Sequence, residues 1–174
     1  MQRVGVFVNV SNQFASLNAK NKGFRVNYAE YLRYINDQTN SEITLSIAYV
    51  SQVNNESESF IEVLSQLGYV IKFSKAKREQ GTIIHPNRNV EMAMDIIEAT
   101  EKLDTIVLGT NDLDLIPLIW QLRTRGIKVF VITPVLTHSE GTINIDISPL
   151  ELLVQDMKGK RDATQKGSRE GDDL

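Results

Sequence analysis

The most constraining feature of the sequence is the stretch at residues 105–132, TIVLGTNDLDLIPLIWQLRTRGIKVFVI. An apolar run is followed by a polar turn with two aspartates, an amphipathic segment, a glycine and a second apolar run. This order predicts a strand, an acidic turn, a helix that ends at Gly126, and another strand. Parallel strands joined by a helix cross over right-handed, so we expect Asp112 and Asp114 directly after the end of a buried strand.

The composition limits the class of protein. A chain of 174 residues is most simply one domain that buries roughly 70% of its unfolded surface. There is no cysteine, which excludes disulfides and zinc–thiolate sites. No segment approaches the length of a membrane span or a signal sequence, so we expect a soluble, cytoplasmic protein. A net charge of −3 gives no bulk attraction to nucleic acid, and RNA binding would need a local basic patch.

The rest of the chain alternates predicted strands and helices. Strands are predicted at 4–10, 43–50 and 69–73, with an edge strand at 143–147. One helix is predicted to begin near Asn12, a second after the cap Asn27, and a third to end at Gly68. Two more are predicted to begin near Asn89 and to span 149–157. This alternation predicts a three-layer α/β/α domain with a mainly parallel sheet of about five strands in the order 3-2-1-4-5.

Domain limits follow from the loss of apolar residues near the end of the chain. Residues 1–157 are predicted to form one domain, and 158–174 a disordered charged tail. Residues 74–88 are predicted to be a long, structureless, basic loop, which is more often functional than idle. In the helix that follows, two adjoining stripes are predicted to face inward: Val90, Met94 and Ile97, and Met92, Ile96 and Ala99.

Open α/β sheets bind ligands at the carboxyl ends of strands, where the strand order reverses. In the predicted order, the first and fourth strands are neighbours, so Asn9 and Asn12 face the turn after residue 109. Oxygen ligands of this kind suit Mg²⁺ or Mn²⁺, and nearby Lys and Arg would hold a phosphodiester strand. The reaction class that fits is phosphodiester cleavage. Neither a GxxxxGK[ST] nor a GxGxxG phosphate loop is present.

Each of these residues also has a purely structural interpretation. Asp112 and Asp114 lie where carboxylates cap a helix, and Asn9, Asn12 and Asn89 suit turns and caps. Three acidic residues of the helix after Asn89 are most simply a solvated face: Glu91, Asp95 and Glu98. The basic loop is equally compatible with a solvated connection.

Three blocks of the sequence carry a family resemblance: VGVFVNVSNQF at 4–14, RNVEMAMDII at 88–97 and LGTNDLDLIPLIWQLRTRGIKVFVI at 108–132. Together they resemble the NYN domain family, the PIN-like nuclease group that includes the LabA-like proteins. In the last block, the matching residues are Asp112, Asp114, Pro117, Leu118 and Gly126.

The first two blocks match the family only in part. Asn12 and Asp95 stand where the family has Asn and Asp. Asn9 and Asn89 stand where the family has Asp. The cluster therefore lacks two of the family's formal charges. An amide oxygen can ligate a cation, but it supplies no charge and cannot act as a base near neutral pH.

The resemblance implies a PIN-like fold and metal-dependent ribonuclease chemistry. It assigns the catalytic and Mg²⁺- or Mn²⁺-binding positions to Asn9, Asn89, Asp112 and Asp114. Asp95, Thr110 and Asn111 would support them. RNA would contact Asn12 and the basic residues Lys75, Lys77, Arg78 and Arg88. Because of the two asparagines, we expect weak or absent cleavage.

Several alternatives stay open at the level of the sequence. The chain is either a family member with weakened catalysis or an Asp→Asn variant introduced at two positions. A further alternative is that the chain is a non-catalytic RNA-binding or protein-binding module on the same fold. Phosphoryl-aspartate chemistry is less supported, because Thr133 and Pro134, not Lys, follow the last strand of the opening stretch. The oligomeric state is open, a homodimer included.

Overall fold

The computed structural model describes residues 2–20, 24–52, 58–133, 146–149 and 154–156. The strands are β1 (Arg3–Asn9), β2 (Phe24–Val26), β3 (Glu42–Gln52), β4 (Val70–Lys75), β5 (Lys77–Glu79), β6 (Thr82–Ile84), β7 (Thr105–Gly109), β8 (Lys128–Thr133), β9 (Asp146–Pro149) and β10 (Val154–Asp156). The helices are α1 (Val10–Lys20), α2 (Tyr28–Thr39), α3 (Glu58–Gln66), α4 (Asn89–Ala99) and α5 (Ile116–Thr124). Within these residues, no helix is both long enough and apolar enough to cross a membrane.

A parallel sheet organises the fold, and its strand order is β4-β3-β1-β7-β8-β9. The first five of these are the predicted strands in the predicted order, so the α/β prediction is confirmed. The sixth strand, β9, begins at Asp146, whereas the sequence predicts an edge strand from residue 143. Residues 143–145 lie outside the described residues.

β1 lies at the centre of the sheet because both of its faces are apolar. Val4, Val6 and Val8 are fully buried on the face covered by α1, α2 and α3. Phe7 is fully buried on the opposite face, against residues of α4 and α5. Each of these side chains contributes about 1.5–3 kcal/mol by leaving water. The two faces together give the three predicted layers.

Local capping explains where several helices begin and end. The Asn27 side chain accepts hydrogen bonds from the backbone N–H groups of Ala29 and Glu30, so its predicted cap role is confirmed. Gly68, at φ +90°, ends the turn after α3, as predicted. Helix α1 begins at Val10, slightly earlier than predicted.

The prediction of a structureless loop at 74–88 is wrong. β5 and β6 pair as an antiparallel hairpin, with Glu79 opposite Thr82. Gln80 and Gly81 form its two-residue turn with φ values of +49° and +82°. Positive φ at both central residues is the geometry that matches the twist of paired strands. Each strand has only three residues, which is too short for a periodic signal in the sequence.

The prediction of a last helix at 149–157 is also wrong where the structure describes it. Pro149 ends β9 and lies opposite Thr133 on the edge of the sheet, a position that tolerates the missing N–H of proline. Val154 pairs antiparallel with Val26 of β2, so 154–156 are extended. The remaining residues of the predicted helix and the predicted tail at 158–174 lie outside the described residues.

Only one of the two stripes predicted to face inward on α4 does so. Met92 and Ile96 are fully buried against the sheet. Val90, Met94 and Ile97 are 73%, 66% and 47% exposed. A helix packed on a sheet buries the stripe that faces the strands, and a second stripe needs a further layer. The sequence pattern alone does not distinguish these two stripes.

The end of β7 is packed without room for a side chain. Gln13, which is fully buried, donates from Nε2 to the Tyr31 hydroxyl at 3.1 Å and to the Ile132 carbonyl at 3.2 Å. A Cβ atom on Gly109 would overlap that hydroxyl and lie 2.9 Å from that amide nitrogen. The glycine therefore lets β7 lie against this buried polar contact.

We predict that Gly109→Ala lowers the free energy of unfolding by about 1–3 kcal/mol, as overpacking of a buried site typically does. Urea unfolding followed by circular dichroism measures the change. Gly5→Ala is the matched control, because its new Cβ atom meets a methyl group of Leu103 and a ring carbon of Phe7, so it displaces no hydrogen-bonded polar group. An equal loss in both variants would contradict a special constraint at Gly109.

Candidate functional site

The candidate site lies at the carboxyl ends of β1 and β7, which are adjacent and parallel. Asn9 is the last residue of β1, and Thr110 follows β7 directly. The chain leaves β1 for the α1 side of the sheet, whereas β7 leads to α5 on the other side. This divergence opens the crevice that doubly wound sheets use for ligands.

A chain of hydrogen bonds connects the two strand ends. The Asn9 side-chain oxygen accepts the backbone N–H of Asn12 at 3.0 Å. The Asn12 side-chain oxygen accepts the Thr110 hydroxyl at 3.2 Å and the Asn111 N–H at 3.0 Å. The Thr110 hydroxyl in turn accepts the N–H of Asp112 at 3.1 Å. Asn12 therefore joins the first turn of α1 to the acidic turn after β7.

Asn89 joins the same site from the start of α4. Its side-chain Nδ2 donates to Asp112 Oδ2 at 2.7 Å. The other oxygen of Asp112 accepts the backbone N–H of Asp114 at 3.0 Å. Asn89 does not cap its own helix, since the side chain of Asn87 accepts the Asn89 N–H at 2.8 Å. The structure thus brings Asn9, Asn89 and Asp112 into one connected set.

The structural and functional interpretations of the acidic turn coexist. Asp112 caps the 3₁₀ turn at Leu113–Leu115, as a carboxylate at a helix start does. It also faces Asn89 across the crevice. Asp114 is exposed in that turn and joins this hydrogen-bond network through its backbone N–H. The capping geometry therefore holds the Asp112 carboxylate in a fixed position.

As they stand, the residues do not fit a dedicated divalent-cation site. Within the described residues, no group of three or more His, Cys, Asp or Glu side chains is placed to hold a metal ion. The side-chain Nδ2–H of Asn89 occupies the Oδ2 side of Asp112, and a cation on that oxygen would have to displace it. The Asn89 side-chain oxygen is buried and has no hydrogen-bond partner in the described part of the chain. Turning the amide over would present this oxygen but would remove the hydrogen bond to Asp112.

The supporting residues predicted by the resemblance divide into two groups. Thr110 and Asn111 lie in the hydrogen-bond chain, and Asn111 Nδ2 also donates to the Ser16 hydroxyl at 2.6 Å. Asp95 lies elsewhere, and its carboxylate accepts the Tyr49 hydroxyl at 2.6 Å and the Lys72 ammonium at 2.7 Å. Burial is the largest cause that raises the pKa of the Tyr49 hydroxyl, and the neighbouring Asp95 carboxylate raises it further. Asp95 therefore fastens α4 to β3 and β4.

The predicted RNA-binding cations also divide into two groups. Lys75, Lys77 and Arg78 are exposed at the end of β4 and on β5. Arg88 is only 6% exposed. Its guanidinium pairs with Glu91 at 2.6 Å and donates to the Ser74 hydroxyl at 2.5 Å. Arg88 is thus buried and paired at the start of α4, so an RNA contact would require its present partners to be displaced.

Three polar residues at this edge were not singled out as site residues by the sequence motifs. The hydroxyl oxygens of Ser11 and Ser51 lie 2.7 Å apart. The Ser51 hydroxyl also lies 3.1 Å from His85 Nδ1. Ser11 is in the first turn of α1, and Ser51 is near the end of β3. Their only sequence signal is that hydroxyl residues follow two apolar strand cores.

Comparison with known proteins agrees with this fold. The NYN domain model matches residues 3–145. A crystal structure of a protein of unknown function from Vibrio parahaemolyticus RIMD 2210633 superposes with a TM-score of 0.65 at 19% identity, covering 76% of this chain and 81% of that chain. A search of curated proteins gave no significant match. At this identity, the structural match supports the fold alone.

The family match covers well over half of the chain, and this protein belongs to the NYN domain family. It therefore has a PIN-like, nuclease-type fold.

We predict that Asn12→Ala lowers the free energy of unfolding by about 1–3 kcal/mol, because the Asn111 N–H and the Thr110 hydroxyl lose their acceptor. Hydrogen exchange at the amide of Asn111 should accelerate in parallel. Asn12→Asp is the control, because a carboxylate keeps the acceptor oxygen. If Asn12→Asp destabilises the protein as much as Asn12→Ala, the acceptor role is wrong.

We also predict that Arg88→Met lowers the free energy of unfolding by about 2–4 kcal/mol, because Glu91 and the carbonyl oxygens of Val50 and Lys72 lose a buried partner. Arg78→Met, at an exposed position on β5, should change it by less than about 0.5 kcal/mol. Urea unfolding of both variants measures the difference. A stable Arg88→Met variant with weakened RNA affinity would instead make Arg88 an RNA contact.

Proposed function

We propose that this protein is a ribonuclease of the NYN type, whose parent activity is metal-dependent hydrolysis of RNA phosphodiester bonds. The present sequence binds RNA and retains only weak cleavage. The observation that supports this proposal most directly is the hydrogen-bond chain that gathers Asn9, Asn89 and Asp112 at the ends of β1 and β7. These are three of the four positions to which the resemblance assigns catalysis and metal binding. RNA is the proposed partner, and the cytoplasm is the proposed location.

In the proposed site, Asp112 and Asp114 are the acidic residues, and Asn9 and Asn89 are their weakened counterparts. A divalent ion such as Mg²⁺ or Mn²⁺ would supply activation of water and neutralisation of phosphate charge in a fully acidic site. Asn12 keeps the acidic turn in register with α1 through the Thr110 hydroxyl and the Asn111 N–H. Its role is to orient the turn.

RNA would reach the crevice along the basic hairpin. Lys75, Lys77 and Arg78 are exposed on the connection between β4 and α4. Contacts of this kind with phosphates are independent of sequence and weaken with salt. Since the net charge of the chain is −3, this local group provides the attraction that the whole protein does not.

The amide at position 89 explains why we expect weak cleavage. An Asn N–H donor on Asp112 Oδ2 satisfies the carboxylate in the way that a cation would, but it supplies no Lewis acidity. Neither Asn9 nor Asn89 can take a proton near neutral pH. The residues of this chain are therefore suited to hold a phosphodiester and poorly suited to hydrolyse it.

A second candidate is a non-catalytic RNA-binding module. It is favoured by the same contact, because the hydrogen bond from Asn89 gives the Asp112 carboxylate a partner without an ion. RNA affinity that is unchanged by EDTA and by Asp112→Asn would support this candidate. An EDTA-sensitive affinity would instead support a bound cation in the unmodified chain.

We predict that the double variant Asn9→Asp/Asn89→Asp cleaves labelled RNA in the presence of Mn²⁺ and loses this activity in EDTA. The unmodified chain should be at least about 100-fold slower, since removal of an essential charged group from an active site typically costs this much or more. Adding Asp112→Asn to the double variant serves as the inactive control. If the double variant is inert on single-stranded and structured RNAs alike, the ribonuclease proposal fails.

Thermal unfolding checks that the restored site binds the ion. The Asn89→Asp replacement would place a carboxylate oxygen against Asp112 Oδ2, where the present contact is 2.7 Å. Two carboxylates this close cannot both stay charged without a cation. The double variant should therefore melt below the unmodified chain in EDTA and gain more from Mn²⁺ than the unmodified chain does.

A further inference from the structure

The connection from β6 to α4 crosses the carboxyl edge of the sheet and is fixed at several points. His85 contacts Ser51 of β3 through Nδ1 at 3.1 Å. Asn87 accepts the N–H of Asn89. Arg88 donates to the Val50 carbonyl at 3.5 Å. Of these anchors, His85 is exposed, whereas Arg88 is buried.

The hydroxyl next to His85 belongs to a short relay that ends at the candidate site. Ser51 is only 5% exposed, and its backbone N–H donates to the Ser11 hydroxyl at 3.0 Å. The two hydroxyl oxygens are 2.7 Å apart. Ser11 stands between Asn9 and Asn12 in the chain. His85 is therefore connected, through Ser51 and then Ser11, to the segment that carries two of the site residues.

This relay engages Nδ1 and leaves the other ring nitrogen, Nε2, for a ligand. The Ser51 hydroxyl can act as donor or acceptor toward Nδ1. When it donates to Nδ1 of a neutral imidazole, the ring proton resides on Nε2. When the imidazole is charged, Nδ1–H donates to Ser51 and Nε2 again carries a hydrogen. A phosphate oxygen accepts hydrogen bonds and therefore selects these two states over the neutral Nδ1–H tautomer. Within the described part of the chain, the imidazole hydrogen-bonds through Nδ1 alone, so Nε2 is available to a ligand.

The position of His85 links the basic hairpin to the crevice. It follows β6 directly, and Ile84 of β6 pairs with Lys77 of β5. In the other direction, its relay leads to the first turn of α1 beside Asn9. A phosphodiester strand that runs from Lys77 to the crevice would therefore pass Nε2 of the exposed His85 imidazole.

We propose that His85 is an RNA-contact residue, whose Nε2–H donates to a phosphate oxygen of the bound strand. This inference rests on the proposed RNA-binding function. The imidazole acts as an oriented donor, which Ser51 and Ser11 hold in position. The contact is to the RNA backbone, so it carries affinity and register and no sequence preference.

The experiment compares three variants for binding to a fluorescein-labelled single-stranded RNA by fluorescence anisotropy at low salt. His85→Gln places an amide nitrogen close to the position of Nε2, and His85→Asn places one close to Nδ1. We expect His85→Gln to stay within about twofold of the unmodified chain. His85→Asn and His85→Ala should bind roughly ten- to hundredfold more weakly, the effect of one hydrogen bond to a charged group.

Two controls separate the contact from folding and from general charge. Arg125→Ala removes an exposed cation after α5, at the opposite edge of the sheet, and should leave the affinity unchanged. Urea unfolding of each His85 variant shows whether the fold is intact. Equal affinity of His85→Asn and the unmodified chain, with a loss in His85→Gln, would make His85 a structural anchor on Ser51 and overturn the proposal.

Nitrogen NMR provides a readout that does not depend on affinity. The chain has two histidines, so the signals missing in His85→Gln identify His85 in a long-range ¹H–¹⁵N correlation. We expect the Nε2–H tautomer and a shift of Nε2 when RNA is added. A Nδ1–H tautomer, or an unchanged Nε2 in an RNA-saturated sample, overturns the His85 contact alone. If the unmodified chain binds no RNA, the proposed function fails, and this contact fails with it.

Discussion

The parallel pairing of β1 with β7 is the interaction on which the rest of the structure depends. It places two strands that are buried on both faces at the centre of the sheet, from Val4 opposite Thr105 to Val8 opposite Gly109. The same pairing brings the carboxyl ends of both strands to one edge, and the candidate site is built from the residues directly after them. Stability and site geometry therefore have a common origin in the register of this pair.

Charge and position are determined separately at this site. The position of the site residues is fixed by hydrogen bonds that the side-chain oxygens of Asn9 and Asn12 accept from backbone N–H groups and from a hydroxyl. Charge comes from the identity of the side chains, and here Asn89 meets Asp112 as a neutral donor. Exchange of an acid for its amide at such a crevice changes the affinity for cations greatly, and without a cation the acidic form brings two carboxylates into repulsive contact.

The sequence was sufficient to predict the sheet order and the convergence of the strand ends, because strongly apolar strands and right-handed crossovers leave few alternatives. It was insufficient for the β5–β6 hairpin and β10, whose short strands have no periodicity. It also misplaced the side chain of Arg88 and the exposed stripe with Val90, because burial depends on the neighbouring elements. The role of Asn89 could not be predicted without knowing that Asp112 lies across the crevice from it.

Gly109 shows where this architecture is rigid and where it can change. Its missing side chain makes room for Tyr31 and Gln13 behind the site, so that position has no substitute of similar shape. Asn9 and Asn89 differ from aspartate by a single functional group. Evolution can therefore switch such a domain between ionic and neutral forms through two conservative replacements, while the packing behind the crevice preserves the surface that both forms would present to the same ligand.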